Sequence, residues 1–155
     1  MKVKNFGLIA LAAVLMIGCI KTTAKTAWIP EKTSIHLEEM ACIPLAAAVA
    51  DGMRSYPMPR AYGTVDFSIA PKRIAVAEEG FSLDAGDIVT LNCTYTPKAA
   101  SVDIGLVAPG GYFYYVNNTT GSIDASIEVS ARGTYTLAVR NNSLSNVSIT
   151  GSVNY

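Results

Sequence analysis

From Tyr62 to the end of the chain, hydrophobic and polar residues alternate with a period of two. Val65, Phe67 and Ile69 share one face of a first run, and Ile74 and Val76 suggest a short second one. Phe81 and Leu83 lead into the turn Asp84-Ala85-Gly86-Asp87. Val89, Leu91, Cys93 and Tyr95 then alternate with Thr90, Asn92 and Thr94, and Thr96-Pro97-Lys98 closes that run. Val102, Ile104 and Leu106 follow, and Pro109-Gly110-Gly111 turns the chain into Tyr112-Phe113-Tyr114-Tyr115-Val116. Ile123, Ala125, Ile127 and Val129 alternate with Ser122, Asp124, Ser126 and Glu128, and Tyr135, Leu137 and Val139 repeat the pattern. Val147, Ile149, Gly151 and Val153 complete it. A period of two with polar, glycine-rich turns predicts about seven or eight half-buried strands. The intervals between runs are too short for crossover helices, so the expected fold is all-β, an antiparallel, jelly-roll-like β-sandwich over residues 61–155.

The stretch before Tyr62 has a different texture. Leu37, Met40, Ala41, Leu45, Ala46, Val49 and Ala50 are spaced as on a helix, interrupted by Pro44. Pro44 fits the first turn of a short helix running to about Asp51, with Gly52 stopping it. Tyr56-Pro57-Met58-Pro59-Arg60 reads as an extended, proline-rich linker, because a residue before proline avoids the helical region. Residues 25–60 are thus expected as an N-terminal extension whose apolar content favours packing on the sandwich.

Residues 1–24 are a secretion signal by pattern. Lys2 and Lys4 precede an apolar stretch from Phe6 to Ile17 that is too short to span a bilayer, and small residues follow. Two endings compete. Cleavage after Ala24, with Thr22 and Ala24 as the small residues, would release a soluble chain beginning at Lys25. Alternatively Met16-Ile17-Gly18-Cys19 resembles the lipobox of bacterial lipoproteins, in which Cys19 would be lipidated and anchor the chain at the cell surface. Either way the expected location is extracellular or at the cell surface, in contact with a membrane only through such an anchor.

Loss of Lys2, Lys4 and Lys21 with the signal leaves nine basic against twelve acidic residues, a net charge of −3. No basic run exceeds Lys72-Arg73, so the electrostatic footprint of nucleic-acid binding is missing. Cys42 and Cys93 survive processing, and an exporting route permits a disulfide between them. Such a bond would close a loop of roughly 50 residues and stabilise by roughly 4 kcal/mol. The other reading has both as unpaired small hydrophobes.

The motifs for chemistry are sparse. His36 is the one histidine and has Glu38 and Glu39 nearby, but no nucleophile elbow accompanies it. Asp103 with Asp124, or Asp84 with Asp87, could serve glycoside hydrolysis if the fold brought two carboxylates to about 5–9 Å. Asp84 and Asp87 are also candidate calcium ligands, though the turn around Gly86 explains them equally. No other metal site and no cofactor is expected. The recognition candidate is the aromatic run: Tyr112 and Tyr114 face one side of a strand, Phe113 and Tyr115 the other. One pair must meet solvent or another element, which makes Tyr112, Tyr114 and Tyr115 candidate binding residues for sugar rings or a protein partner. The alternative is that residues 35–55 cover this strand.

The order Asp84-Ala85-Gly86-Asp87, Val89-Thr90-Leu91, Val102-Asp103-Ile104-Gly105-Leu106 and Gly133-Thr134-Tyr135-Thr136-Leu137-Ala138-Val139 resembles the bacterial prepeptidase C-terminal domains over residues 81–155. Those are small jelly-roll-like sandwiches attached to secreted enzymes, and the resemblance implies the fold rather than a function. The expected function is a noncatalytic exported or cell-surface module that binds glycan, cell wall or an exported protein. The alternatives are a structural or inhibitory module acting on a protein, and a small glycan hydrolase.

Overall fold

In the computed structural model, which describes residues 34–50, 55–58 and 63–155, the alternation becomes two facing sheets within one unit, Lys32–Tyr155. The candidate signal and Cys19 lie outside the described residues. Twelve strands are described: β1 Ile35–His36, β2 Ala41–Pro44, β3 Ser55–Met58, β4 Gly63–Ile69, β5 Arg73–Ala77, β6 Phe81–Leu83, β7 Ile88–Thr96, β8 Val102–Val107, β9 Tyr112–Asn118, β10 Ser122–Glu128, β11 Gly133–Asn141 and β12 Val147–Asn154. One sheet runs β1-β10-β7-β12-β4; the other runs β2-β9-β8-β11-β5-β3, with β6 continuing along β11 beyond β5. All pairings are antiparallel except β1 with β10 and β3 with β5.

The predicted inward residues fill the space between the sheets. Val65, Ile69, Val89, Leu91, Cys93, Ile123, Ile127, Val147, Ile149 and Val153 project from the first sheet. Ile104, Leu106, Phe81, Leu83, Tyr135, Leu137 and Val139 meet them from the second. Burial of this kind is worth about 1.5–3 kcal/mol per large side chain and is the main favourable term of the fold.

The outer faces differ. On the five-stranded sheet, Thr64, Asp66, Ser68, Thr94, Asn92, Ser122, Asp124, Ser148 and Thr150 are all exposed, as strict alternation requires. On the other sheet, Ile74, Phe113 and Ala138 point outward yet are fully buried, with Ile43, Leu45, Val76, Val107 and Tyr115 packed against them. Part of that sheet's outer face is thus apolar as well as its inner one, which is why Ile74–Ala77 and Tyr112–Val116 read as continuous apolar runs.

The segment before residue 60 supplies much of this second cover. Ile35–Pro44, spaced in the sequence as on a helix, forms instead β1, a 3-10 turn Leu37–Glu39 and β2. The helical spacing has a source: Met40 donates its N–H to the Leu37 carbonyl at 3.2 Å, so both side chains enter the core from one short turn. The short helix appears as α1, Leu45–Ala50, with Pro44 ending β2 just before it. Tyr56-Pro57-Met58 is extended as expected, but as part of an edge strand beside β5.

Buried Asn141 ends β11, where the chain leaves one sheet for the other. Its Nδ2 donates to the carbonyls of Ile69, Ala70 and Ser145 at 3.1, 3.2 and 2.8 Å. Its Oδ1 accepts from the Ser143 N–H and hydroxyl at 2.9 and 2.6 Å. Replacing Asn141 with leucine strands these carbonyls without a donor, so stability to urea should fall by about 3 kcal/mol or more. A midpoint shift at unchanged denaturant slope checks this, and an unchanged midpoint refutes it.

Candidate functional site

Strand β9 alternates as its sequence predicts, but it is an interior strand, with β2 on one side and β8 on the other. Tyr115 faces outward and stacks on Phe113, ring centroids 5.2 Å apart. The Arg140 guanidinium carbon sits 4.8 Å from the Tyr115 ring centroid, a cation–π contact. Tyr114 points the other way and is half-buried against the main core. Tyr112, at the strand's start, is 46% exposed. The three candidate tyrosines therefore do not share one surface, and among them Tyr112 is the exposed one.

Tyr112 has company at its end of the sandwich. Tyr155 is 52% exposed and stacks on Phe81 at 4.6 Å with an interplanar angle of 14°. Phe81 lies opposite Tyr135, and the adjacent Thr136 pairs with Val107, which pairs in turn with Phe113 beside Tyr112. Ile88, 45% exposed, begins β7 opposite Glu128 near the strand end that Tyr155 follows. Among the described residues, three of the four exposed large hydrophobics occupy this end; the fourth, Leu144, is in the loop between β11 and β12.

Charged groups edge the same end. In the turn, the Asp84 N–H donates to Asp87 Oδ2 at 2.7 Å, and the Gly86 N–H donates to the Val129 carbonyl at 2.8 Å. Asp84 also pairs with Arg132 at 3.2 Å, but both are so exposed that the pair adds little stability. Turn formation thus engages both candidate calcium ligands, and no cluster of three or more acidic, His or Cys side chains is placed to hold a metal among the described residues. His36 Nδ1 lies 3.8 Å from Glu128 Oε1, while Ser34 donates to Oε2 at 3.1 Å.

The Asp103–Asp124 pair is not formed. Asp103 is on the outer face of one sheet and Asp124 on the outer face of the other, with the core between them. Asp103 is instead buried in a polar cluster. It accepts from Arg140 Nε at 2.7 Å and Nη2 at 2.5 Å, from Asn117 at 2.6 Å and from Asn142 at 2.8 Å. This cluster ties β8, β9 and β11 together and holds the guanidinium over Tyr115. The sequence hint was a charge at Asp103 within a wholly apolar strand and another at Arg140 directly after Leu137-Ala138-Val139.

Cys42 and Cys93 are not bonded. Cys42 is exposed on β2, whereas Cys93 is buried on β7 in the opposite sheet. Gly151 faces Cys93, and a methyl group there would lie 2.8 Å from its sulfur and 2.3 Å from the Asn92 carbonyl oxygen. Burial pushes the Cys93 thiol pKa up.

No family model and no curated protein matches the chain. Among solved structures it is similar to the pre-peptidase C-terminal domain of collagenase from Bacillus anthracis, at 14% identity and a TM-score of 0.47, covering 66% of this chain and 94% of that one. It is also similar to the periplasmic lysozyme inhibitor of g-type lysozyme from Aeromonas hydrophila, at 13% identity and a TM-score of 0.39, covering 66% and 97%. A mutant of the corresponding Escherichia coli inhibitor aligns at 12% identity and a TM-score of 0.33, covering 64% and 96%. These are likenesses in the path of the chain and assign no ligand.

The two thiols should separate cleanly in reactivity. With Cys19 replaced by alanine, Cys42 is expected to react promptly with an aromatic disulfide reagent and Cys93 only after unfolding. Because burial raises the folded-state pKa of Cys93, its contribution to stability is intact below the ordinary thiol range and declines as pH rises through it. Equal labelling of both thiols in the folded protein would contradict this assignment.

Proposed function

We propose that this chain is an exported, noncatalytic module that binds cell-wall glycan or another exported protein through the end carrying Ile88, Tyr112 and Tyr155. One observation carries the reading: three of the four exposed large hydrophobics among the described residues lie there, while one outer face is hydroxyl-rich and the other combines a buried apolar cluster with the polar group around Asp103. Tyrosine presents a flat apolar face together with a hydroxyl, a combination that suits a sugar ring or a protein hot spot. The surrounding Asp84, Asp87, Glu128 and Arg132 supply a polar rim.

Rigidity favours the same end. The loop before Tyr112 is closed by hydrogen bonds from the Gly111 N–H to the Ala108 carbonyl at 2.8 Å and from the Ala108 N–H to the Tyr112 carbonyl at 2.9 Å. The Leu45 N–H reaches the Gly111 carbonyl at 2.9 Å. A surface ordered before binding loses little entropy on contact, which also favours a second reading, an inhibitory module whose loops enter a partner's cleft. Export is part of the proposal, with release at Lys25 or anchorage through Cys19 as the two endings that the mass of the processed chain would distinguish.

The test is binding of the chain, as processed on export, to an array of cell-wall fragments and polysaccharides. A panel of exported proteins accompanies it and includes g-type lysozyme, the enzyme named for two of the similar structures. Saturable binding is expected to weaken by about tenfold or more in a Tyr112→Ala, Tyr155→Ala double variant that keeps its circular dichroism spectrum. A glycan, or an exported protein whose activity is unchanged on binding, supports the first reading; an enzyme that loses activity on binding supports the second. Binding that survives the double variant, or none to any probe, would sink the assignment to this end.

A further inference from the structure

Among the described residues four strand edges close the two sheets, and three of them are blunted. β1 has two residues. β2 and β3 have four each and carry Pro44 and Pro57, which lack the N–H that an added strand would use. The fourth edge, β4, is seven residues long and contains neither proline nor lysine. Among the described residues its one strand partner is β12, so the other side of its backbone is at the sheet edge.

The side chains of β4 indicate what fits that edge. Val65 and Ile69 are each 2% exposed, but Phe67, between them on the same inward face, is only half-buried against the core. Apolar surface therefore persists at the rim, where the next strand's inward residue would land. On the outward face Thr64, Asp66 and Ser68 are exposed. An added strand must itself alternate apolar-in and polar-out, and β4 has that pattern.

We infer that β4 pairs antiparallel with β4 of a second copy, about a two-fold axis at Phe67. Opposed residues in an antiparallel pair share a face, so only registers that match apolar with apolar are allowed. A two-fold at Asp66 would oppose two carboxylates. A two-fold at Val65 would set Phe67 against the partner's Gly63 and forfeit an aromatic contact. With the axis at Phe67, the two phenylalanines face each other, Val65 meets the partner's Ile69, and Asp66 can accept from the partner's Ser68. The interface is isologous and leaves neither β4 as an open edge. Because paired strands run oppositely, the two ends bearing Tyr112 point in opposite directions, which makes the dimer a bridge between two ligands rather than a two-footed clamp on one surface.

The test is sedimentation equilibrium of the processed chain with Cys19→Ala under reducing conditions, so that neither acyl chains nor Cys42 can join copies. A monomer–dimer equilibrium in the micromolar range is expected. Ser68→Asp sets a carboxylate opposite the partner's Asp66 at two symmetric places and should raise the dissociation constant by about tenfold. Adding Asp66→Lys turns both repulsions into attractions and should return the constant to within about threefold of the parent. Both positions are solvent-facing, and circular dichroism verifies the fold. A monomer throughout, a dimer indifferent to Ser68→Asp, or a failure of the double variant to recover would each overturn the inference.

Discussion

Two sheets can share a core only if the chain crosses between them without burying unpaired backbone groups. At one crossing Ile69 and Ala70 lead from β4 towards β5; at another Asn141 leads from β11 towards β12. The amide of Asn141 serves both, donating to carbonyls of the first crossing while its oxygen orders the turn of the second. A side chain carrying both donors and an acceptor is needed, since neither a carboxylate nor a hydrocarbon can satisfy both sets. The spacing of the sheets, and hence the fit of Leu91, Ile104, Leu137 and Ile149 between them, depends on these crossings being closed.

The asymmetry of the outer faces decides where recognition is possible. On one sheet, alternation is honoured and the outside is hydroxyl-rich. On the other, β2 and Leu45 of α1 draw Phe113 and Tyr115 into a second apolar cluster, and Arg140, held by Asp103, occupies the ring face of Tyr115. Most of the aromatic run is therefore used for packing. What is left for solvent is the residue at its beginning, Tyr112, alongside Tyr155, which sequence distance would not have associated with it.

Legibility followed the number of solvated faces. Val89–Tyr95 and Ile123–Ile127 could be read because polar residues alternate with apolar ones, and all of the outward ones but Ser126 reach water at least in part. Ile74–Ala77 and Tyr112–Val116 could not be oriented, because a strand covered on both sides loses its period and exposed aromatics look the same as buried ones. Ala41–Pro44 and Ser55–Met58 are strands only because the distant edges of β9 and β5 accept them; their prolines argue locally for turn and linker. Cys42 and Cys93 were plausible partners by compartment, but pairing depends on which sheet each joins, and that is a property of topology. Asn141 gives no local sign of its role, since Asn142 and Ser143 beside it are of the same polar, turn-forming kind.

The position of β12 has a kinetic meaning. It follows every other described strand, yet it lies in the interior of its sheet, between β7 and β4. Until its eight residues are available, those two strands have nothing to join them, and the five-stranded sheet exists only as separate pieces. Its partners lie tens of residues upstream, so closure is the kind of non-local step that folds in milliseconds to seconds rather than microseconds. A chain emerging from its N-terminus cannot complete this sheet until β12 has emerged as well.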